Sequence, residues 1–281
     1  MEIDLKPVMK WAGGKRNIME RLLSYFPSEF KNYHEPFLGG GSVVLEMTNR
    51  GLLKNKKVHI SDIMEPLMNV YRVIKEDVGN LINELKSGYT NDKETFMDKR
   101  NRFNEIKRDI PNNTVECAAL FLYLNRTCFN GIYRENNSGG YNVPFGKQKN
   151  PLICNEALLR QVGNWLRGGD ITLRHCGYEE TIGEINEGDF VYMDPPYYGT
   201  FTDYNKDAFG ERSQEKLRDF YRELCRRGCK VALSNSNHEY IRKIYSDIPN
   251  VRFIEIPVKR MINSKGEDRK KVMTEVLIVN Y

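Results

Sequence analysis

The sequence predicts an α/β protein whose parallel sheet is interrupted by a mostly helical insertion of about 85 residues, spanning 64–149. Three observations predict this. Between Tyr33 and Asp62 a strand-like run, a glycine turn, a helical run and a second strand-like run follow in that order; this is a βαβ unit, which builds parallel sheet. From about Glu65 to Asn125 the chain becomes charge-rich and helical, with few β-branched clusters. Strand-like runs then return and alternate with one further amphipathic helix.

The elements follow in order. Ile18, Met19, Leu22, Leu23 and Phe26 recur at helical spacing and Pro27 ends the run. Residues 33–37 read as a strand, 42–47 as a helix and 57–62 as a short strand ending on a carboxylate. After the helical insertion, 130–146 is polar and turn-rich, with Asn-Gly, Asn-Asn and Gly-Gly pairs. Strand signals resume at 171–175 and 189–194. Leu217, Phe220, Tyr221 and Leu224 mark a helix that leads into a strand at 230–234. The last two β-rich runs, 251–258 and 274–281, lack a crossover helix between them, so they should pair antiparallel. Residues 1–63 and 150–281 are expected to form one domain and 64–149 the other.

The 281 residues, 40% hydrophobic and 29% charged, suit an ordinary soluble globular chain. The net charge of +5 is compatible with a nucleic-acid partner but weak evidence alone. Its distribution says more, because six basic residues face two acidic ones over 259–271. No apolar run approaches the roughly 18 residues of a membrane span, and the start, Met1-Glu2-Ile3-Asp4-Leu5-Lys6, lacks the apolar core of a secretory signal. A cytoplasmic location with no membrane partner is expected. The six cysteines form no C-x-x-C pair and the four histidines are scattered, so neither zinc nor any other metal, nor a disulfide framework, is expected. Reduced, mostly buried thiols are the plain reading.

Asp194-Pro195-Pro196-Tyr197 carries the most chemistry. It lies at the carboxyl end of a predicted strand, where open α/β sheets bind ligands. Two prolines stiffen the backbone and remove two N–H donors, freeing carbonyls for a ligand. An amino group on an aromatic base is a poor nucleophile because its lone pair is delocalised. The Asp194 carboxylate and the Pro195 carbonyl could accept its two hydrogens and favour a tetrahedral nitrogen, while Tyr197 stacks on a base extruded from the duplex. The stretch Glu35-Pro36-Phe37-Leu38-Gly39-Gly40-Gly41 is the nucleoside-cofactor candidate: glycines allow close approach to the backbone, and the following helix presents free N–H groups. Asp62, 21 residues after Gly41, is placed to accept from ribose hydroxyls. This pattern does not separate a dinucleotide from S-adenosylmethionine.

Trp11-Ala12-Gly13-Gly14-Lys15 superficially suggests a phosphate loop, but Arg16 follows the lysine and the first glycine of G-x-x-x-x-G-K-[ST] is missing, which excludes that reading. An aromatic plane and a cation beside a glycine turn could instead border the cofactor. The stretch 125–134, including Arg126, Phe129, Asn130, Ile132 and Arg134, mixes cations, amides and apolar rings of the kind that contact phosphates, base edges and an opened stack.

Taken together in this order, these blocks resemble the Dam-type (D12 class, alpha group) DNA adenine-N6 methyltransferases, which include the bacterial GATC enzymes. The resemblance spans nearly the whole chain. It adds Lys10, Asn142-Val143-Pro144-Phe145-Gly146, Phe201-Thr202-Asp203-Tyr204 and the tail around Arg269-Lys270-Lys271 to the blocks above. It implies a Rossmann-like methyltransferase sheet, S-adenosyl-L-methionine as cofactor, duplex DNA as partner and a DNA-recognition role for the helical insertion. Trp11, Lys15, Phe37, Gly39, Gly40, Gly41, Asp62, Tyr178 and Asp194 would touch the cofactor, and Asp194, Pro195, Pro196 and Tyr197 would hold the adenine. Lys10, Arg126, Phe129, Asn130, Ile132, Arg134, Asn142, Pro144, Gly146, Lys147 and Gln148 would meet DNA.

Two departures from the pattern stand out. Gly177-Tyr178 occupies the place where the family often has Asp-Phe, so the aromatic survives without the carboxylate, with Glu179 and Glu180 next in line. Lys147-Gln148 follows Gly146 where GATC readers commonly show Arg-Tyr, which leaves GATC or a related short site open. The expected reaction is direct in-line methyl transfer by a monomeric enzyme, with room for a cognate restriction endonuclease as partner. The alternatives are an RNA adenine or DNA cytosine-N4 methyltransferase, or a catalytically silent DNA-binding regulator on the same scaffold.

Overall fold

In the computed structural model the described residues are 4–112, 114–199, 209–258 and 273–281. The blocks at Phe201, Thr202, Asp203 and Tyr204, at Arg269, Lys270 and Lys271, and the basic run 259–271 lie outside them. In chain order the helices are α1 (Met19–Leu23), α2 (Ser42–Asn49), α3 (Glu65–Glu76), α4 (Val78–Lys86), α5 (Lys93–Ile106), α6 (Thr114–Thr127), α7 (Glu156–Gly168), α8 (Glu211–Arg226) and α9 (Glu239–Tyr245). The strands are β1 (Tyr33–Glu35), β2 (Val58–Asp62), β3 (Ile171–His175), β4 (Phe190–Met193), β5 (Lys230–Ser236), β6 (Arg252–Val258) and β7 (Met273–Val279). They form one seven-stranded sheet in the order β3-β2-β1-β4-β5-β7-β6.

The centre of the sheet is parallel, as the βαβ pattern predicts. Tyr33 pairs with Val58 on one side of β1 and with Phe190 on the other. β5 continues the parallel run beside β4. The two β-rich runs at the end do pair antiparallel, Arg252 against Val279 through Val258 against Met273. One feature was not foreseen: β7 also pairs antiparallel with β5, so it sits inside the sheet and β6 forms the edge. From β1 the chain turns to β2, and when it later returns as β4 it lands on the other flank of β1. The crossing of strand order thus falls between β1 and β4, the place where open α/β sheets bind ligands.

The observed first helix is shorter than its periodicity suggests, since a 3₁₀ turn at Lys15–Ile18 precedes α1, which stops at Leu23. Similarly, Pro36 ends β1 at Glu35 because it has no N–H for the ladder. β1 is buried along its whole length yet reads Tyr-His-Glu. Each of those polar groups has a partner: the Tyr33 hydroxyl donates to Glu35 Oε2 at 2.8 Å, and His34 Nε2 lies 3.0 Å from Asp189 Oδ2. Asp189, fully buried just before β4, also accepts from the backbone and side-chain amides of Asn32, each at 3.0 Å, and from the Asn186 amide at 2.9 Å. It therefore ties the amino ends of β1 and β4 together.

Two compact units emerge from the packing. One comprises 1–14, 39–55 and 61–176, the other 15–38, 56–60 and 177–281. The first is built around α6, whose residues from Cys117 to Asn125 are all buried; such a helix has no solvent face and serves as a central rod. α3, α4 and α5 each pack against it. In the second, α8 and α9 cover the apolar faces of β4, β5 and β7 through Leu217, Tyr221, Leu224, Ile241 and Tyr245. All six cysteines are free thiols, four of them buried. No helix among the described residues is long and apolar enough to cross a membrane.

Burial alone would push the Asp189 carboxyl up, but His34 and the amides of Asn186 and Asn32 outweigh it and hold the pKa below the usual carboxylate value. Its stabilisation is therefore full above the unfolded pKa of about 3.9 and fades as pH falls through the lower folded value. Asp189→Ala strands several buried donors and should lower the unfolding free energy by about 2–4 kcal/mol near neutral pH. Urea denaturation should show that loss, and it should shrink on acidification below pH 4.

Candidate active site

The second unit places the diproline tetrapeptide directly after β4, beside the carboxyl end of β1. Asp194 is half-buried, and Lys15 Nζ, itself buried, lies 2.8 Å from its Oδ1. Oδ1 is sealed from solvent on this side, against the Lys15 ammonium. Burial pushes the Asp194 carboxyl up, and the Lys15 ammonium opposes the rise. Pro195 is buried and Pro196 exposed. Tyr197 is fixed through its hydroxyl, which donates to Glu275 Oε2 at 2.9 Å, while Lys15 Nζ stands 4.8 Å from its ring centroid. Lys15 Nζ also approaches Glu275 Oε2 to 4.0 Å. Phe37, just past β1, stacks on Tyr178 at 5.2 Å, and Tyr178 meets Phe220 edge-on at 5.1 Å. The Gly177 amide donates to Glu180 Oε1 at 2.9 Å, so Glu180 folds back on the turn that lacks the usual carboxylate.

The first unit holds the other candidate cofactor residues. Gly39 and Gly41 have φ of +49° and +67°, and the bend leads into α2. A Cβ on Gly39 would sit 2.7 Å from the Trp11 indole, and one on Gly40 2.9 Å from Trp11 Cβ, so the indole is seated against bare backbone. Asp62 at the end of β2 accepts from the Gly39 amide at 2.9 Å and the Met64 amide at 3.0 Å. Burial raises its carboxyl pKa against the pull of those amides. Each oxygen keeps a lone pair for a further donor. Beside it Ile63 is 75% exposed, a large apolar side chain left uncovered.

The polar loop after α6 is also in this unit and is folded tightly. Phe129 N donates to Pro144 O at 2.9 Å and Gly146 N to Thr127 O at 2.8 Å. Asn125 receives the Lys10 amide and donates to the carbonyls of Lys10 and Gly131, at 2.8, 2.8 and 3.0 Å, fastening the segment at Lys10 to the loop. Lys10 Nζ reaches Gln148 Oε1 at 3.2 Å, and Arg134 Nε reaches Asn142 Oδ1 at 2.8 Å. Lys10, Phe129, Asn130, Arg134, Pro144 and Lys147 are exposed. Arg126 differs: it is half-buried, donates to Val8 O at 2.6 Å, and burial lowers its pKa. Ile132 lines a small cavity with Phe103, Phe121 and Tyr141.

The family model for D12 class N6 adenine-specific DNA methyltransferases matches residues 11–262. The chain belongs to this family. Among its relatives, the type II methyltransferase M.MjaIII of Methanocaldococcus jannaschii is 40% identical, covering 99% of this chain and 100% of its own. The type II methyltransferase M1.LlaDCHI of Lactococcus lactis subsp. cremoris is 34% identical, covering 100% and 97%. A DNA adenine methylase of Vibrio cholerae is 31% identical, covering 94% and 92%. The protein is thus an adenine-specific DNA methyltransferase of the D12 class.

In this methyltransferase the structure adds residues that the sequence left unmarked, Glu275, Gln214, Asn235 and Ile63, and makes Asn125, within the stretch already singled out, the fastener of Lys10. A signal existed for three of the unmarked ones. Glu275 is the only acidic residue in an otherwise apolar or neutral strand, 273–279. Gln214 stands in helical register with the apolar stripe Leu217, Tyr221 and Leu224, and Asn235 ends an apolar strand. Gly146 tests the folded loop, because a Cβ there would lie 2.3 Å from Cys128 O and 2.6 Å from Cys128 C, both backbone atoms that cannot swing aside. Gly146→Ala should therefore cost on the order of 1–3 kcal/mol of stability. Thermal denaturation should show the loss, and DNA affinity should fall with it.

Proposed function

We propose that this methyltransferase transfers a methyl group from S-adenosyl-L-methionine to the N6 amino group of an adenine extruded from duplex DNA, within GATC or a related short site. The observation that carries the reading is Asp194 at the carboxyl end of β4: its Oδ1 is buried against the Lys15 ammonium at 2.8 Å, while the side chain as a whole stays partly open. The open part of that carboxylate can accept from an exocyclic amino group. Asp194 and the Pro195 carbonyl accept the two amino hydrogens, which draws the nitrogen lone pair out of the ring and toward tetrahedral geometry. The Tyr197 ring packs on the base, and Lys15 keeps Asp194 ionised so that it accepts rather than donates. Extrusion is required because the amino group of a stacked, paired adenine is out of reach.

The residues present suit the cofactor. Asp62 offers carboxylate lone pairs for a ribose diol, and exposed Ile63 beside it offers an apolar surface for a purine. With Asp62, the cofactor contacts we propose are Trp11, Gly39, Gly40 and Gly41 in the first unit and Lys15, Phe37, Tyr178 and Asp194 in the second. When bound, the cofactor supplies a methyl group made electrophilic by its sulfonium; the protein contributes position and electrostatics. Residues 64–149 serve as the target-recognition domain on a catalytic domain of 1–63 and 150–281. Lys10, Arg126, Phe129, Asn130, Ile132, Arg134, Asn142, Pro144, Gly146, Lys147 and Gln148 meet the DNA. Relatives named type II methyltransferases support a pairing with a restriction endonuclease of the same specificity.

Asp194→Ala should cut the single-turnover methylation rate of duplex DNA by roughly 10²–10³-fold with the far-UV spectrum unchanged; wild-type turnover would defeat the mechanism. Sequencing DNA methylated by the purified protein tests base, position and site together, and methyl groups on cytosine would overturn the adenine assignment. Lys15→Met removes the ammonium that opposes the burial of Asp194, so that carboxyl becomes harder to ionise. At saturating cofactor the acid limb of its rate–pH profile should move to higher pH.

A further inference from the structure

Proline at 195 and 196 leaves the tetrapeptide short of backbone donors, and residues 194–199 belong to no helix or strand. A turn of this kind is held only if other parts of the chain hold it. Two carboxamides do so. Gln214 Nε2 donates to Pro196 O at 3.0 Å, Asn235 Nδ2 donates to Gln214 Oε1 at 2.9 Å, and Asn235 Oδ1 accepts the Tyr198 amide at 3.1 Å and the Ser236 amide at 2.8 Å. Both side chains are fully buried. Burying an amide costs free energy that hydrogen bonds at best offset, and Leu would fit the stripe on α8 that Gln214 interrupts. Their burial is therefore not explained by core packing.

We propose that Gln214 and Asn235 are positioning residues that preset the diproline turn for the target base. They act on the two peptide units that flank Tyr197, one at the Pro196 carbonyl and one at the Tyr198 amide, while Glu275 holds the Tyr197 hydroxyl. The ring is thereby fixed at three points before substrate arrives. Engaging the Pro196 carbonyl also removes it from competition for the amino hydrogens, leaving the Pro195 carbonyl as the acceptor that works with Asp194. The relay from α8 through β5 to the turn makes the base-holding geometry a property of the sheet rather than of a loop.

This inference rests on the reading of Asp194–Tyr197 as the holder of the base, and the test separates the two. Gln214→Met keeps the volume and removes both polar groups. Its kcat per active site, counted by single-turnover titration, should fall roughly 10²-fold, with the KM for S-adenosylmethionine and the melting temperature little changed. Asn235→Leu should act likewise, and the double variant should be no slower than the worse single one, because the two amides form one relay. If Gln214→Met does not fold, Gln214→Glu replaces it, retaining the acceptor for Asn235 while setting a carboxylate against Pro196 O; the same loss of kcat is expected. A wild-type kcat in the folded variant, with or without a lower melting temperature, would overturn the inference. Asp194→Ala runs alongside: if it is active, the base-holding reading fails, and if it is inactive while Gln214→Met is fully active, only the inference about the amides fails.

Discussion

The parallel register of β1 against β4 is the constraint on which the rest of the second unit depends. It sets Glu35-Pro36-Phe37 and Asp194-Pro195-Pro196-Tyr197 at neighbouring strand ends, and it does so with a β1 sequence that has no apolar reason to be central. Asp189 supplies the reason. Its carboxylate collects donors from Asn32, His34 and Asn186 at the far end of the same two strands. The amino end is thus locked by hydrogen bonds, and the opposite end is free to be built for chemistry. A buried carboxylate needs partners inside a protein, and Asp189 and Asp194 differ in design: Asp189 is fully buried among its donors, whereas Asp194 stays partly open beside the Lys15 ammonium.

The same division of labour recurs at each functional stretch. Trp11 is held by the glycine bend it lies against, Lys10 by Asn125, Tyr197 by Glu275 and the diproline turn by Gln214 and Asn235. The support is bare backbone for Trp11, a half-buried carboxylate for Tyr197, and buried carboxamides for Lys10 and the diproline turn. Buried polar supports are sensitive to replacement, because each leaves an unsatisfied group behind. Loss of activity on mutation will therefore extend well beyond the residues that touch substrate.

Much of this was legible in the sequence, and the reason is locality. The strand, glycine bend and strand of 33–62, the carboxylate at Asp62 and the diproline after an apolar strand are contiguous patterns, readable from spacing and from the backbone chemistry of glycine and proline. The antiparallel pairing of β6 with β7 followed from the missing crossover helix. What escaped were facts decided by partners distant in sequence. Nothing local announces that Glu275 meets Tyr197, 78 residues away, or that Asn125 grips Lys10 across 115 residues. α6 was read as part of a charged helical region, yet its middle is buried on every side, because three other helices surround it. Arg126, which the sequence singles out for DNA, is half-buried and engaged with the Val8 carbonyl, a partner 118 residues away.

The placement of β7 between β5 and β6 bears on how the molecule is made. A nascent chain that has emerged from the ribosome only as far as residue 258 owns β5 and β6 but not the strand that separates them, so both present bare edges. β5 carries a run of buried apolar residues along that edge, the sort of surface that invites association with a second chain. Glu275, too, arrives only with β7. Biosynthesis therefore withholds the last contact to Tyr197 until the sheet can close, and catalytic competence comes after the translation of the strand that completes the core.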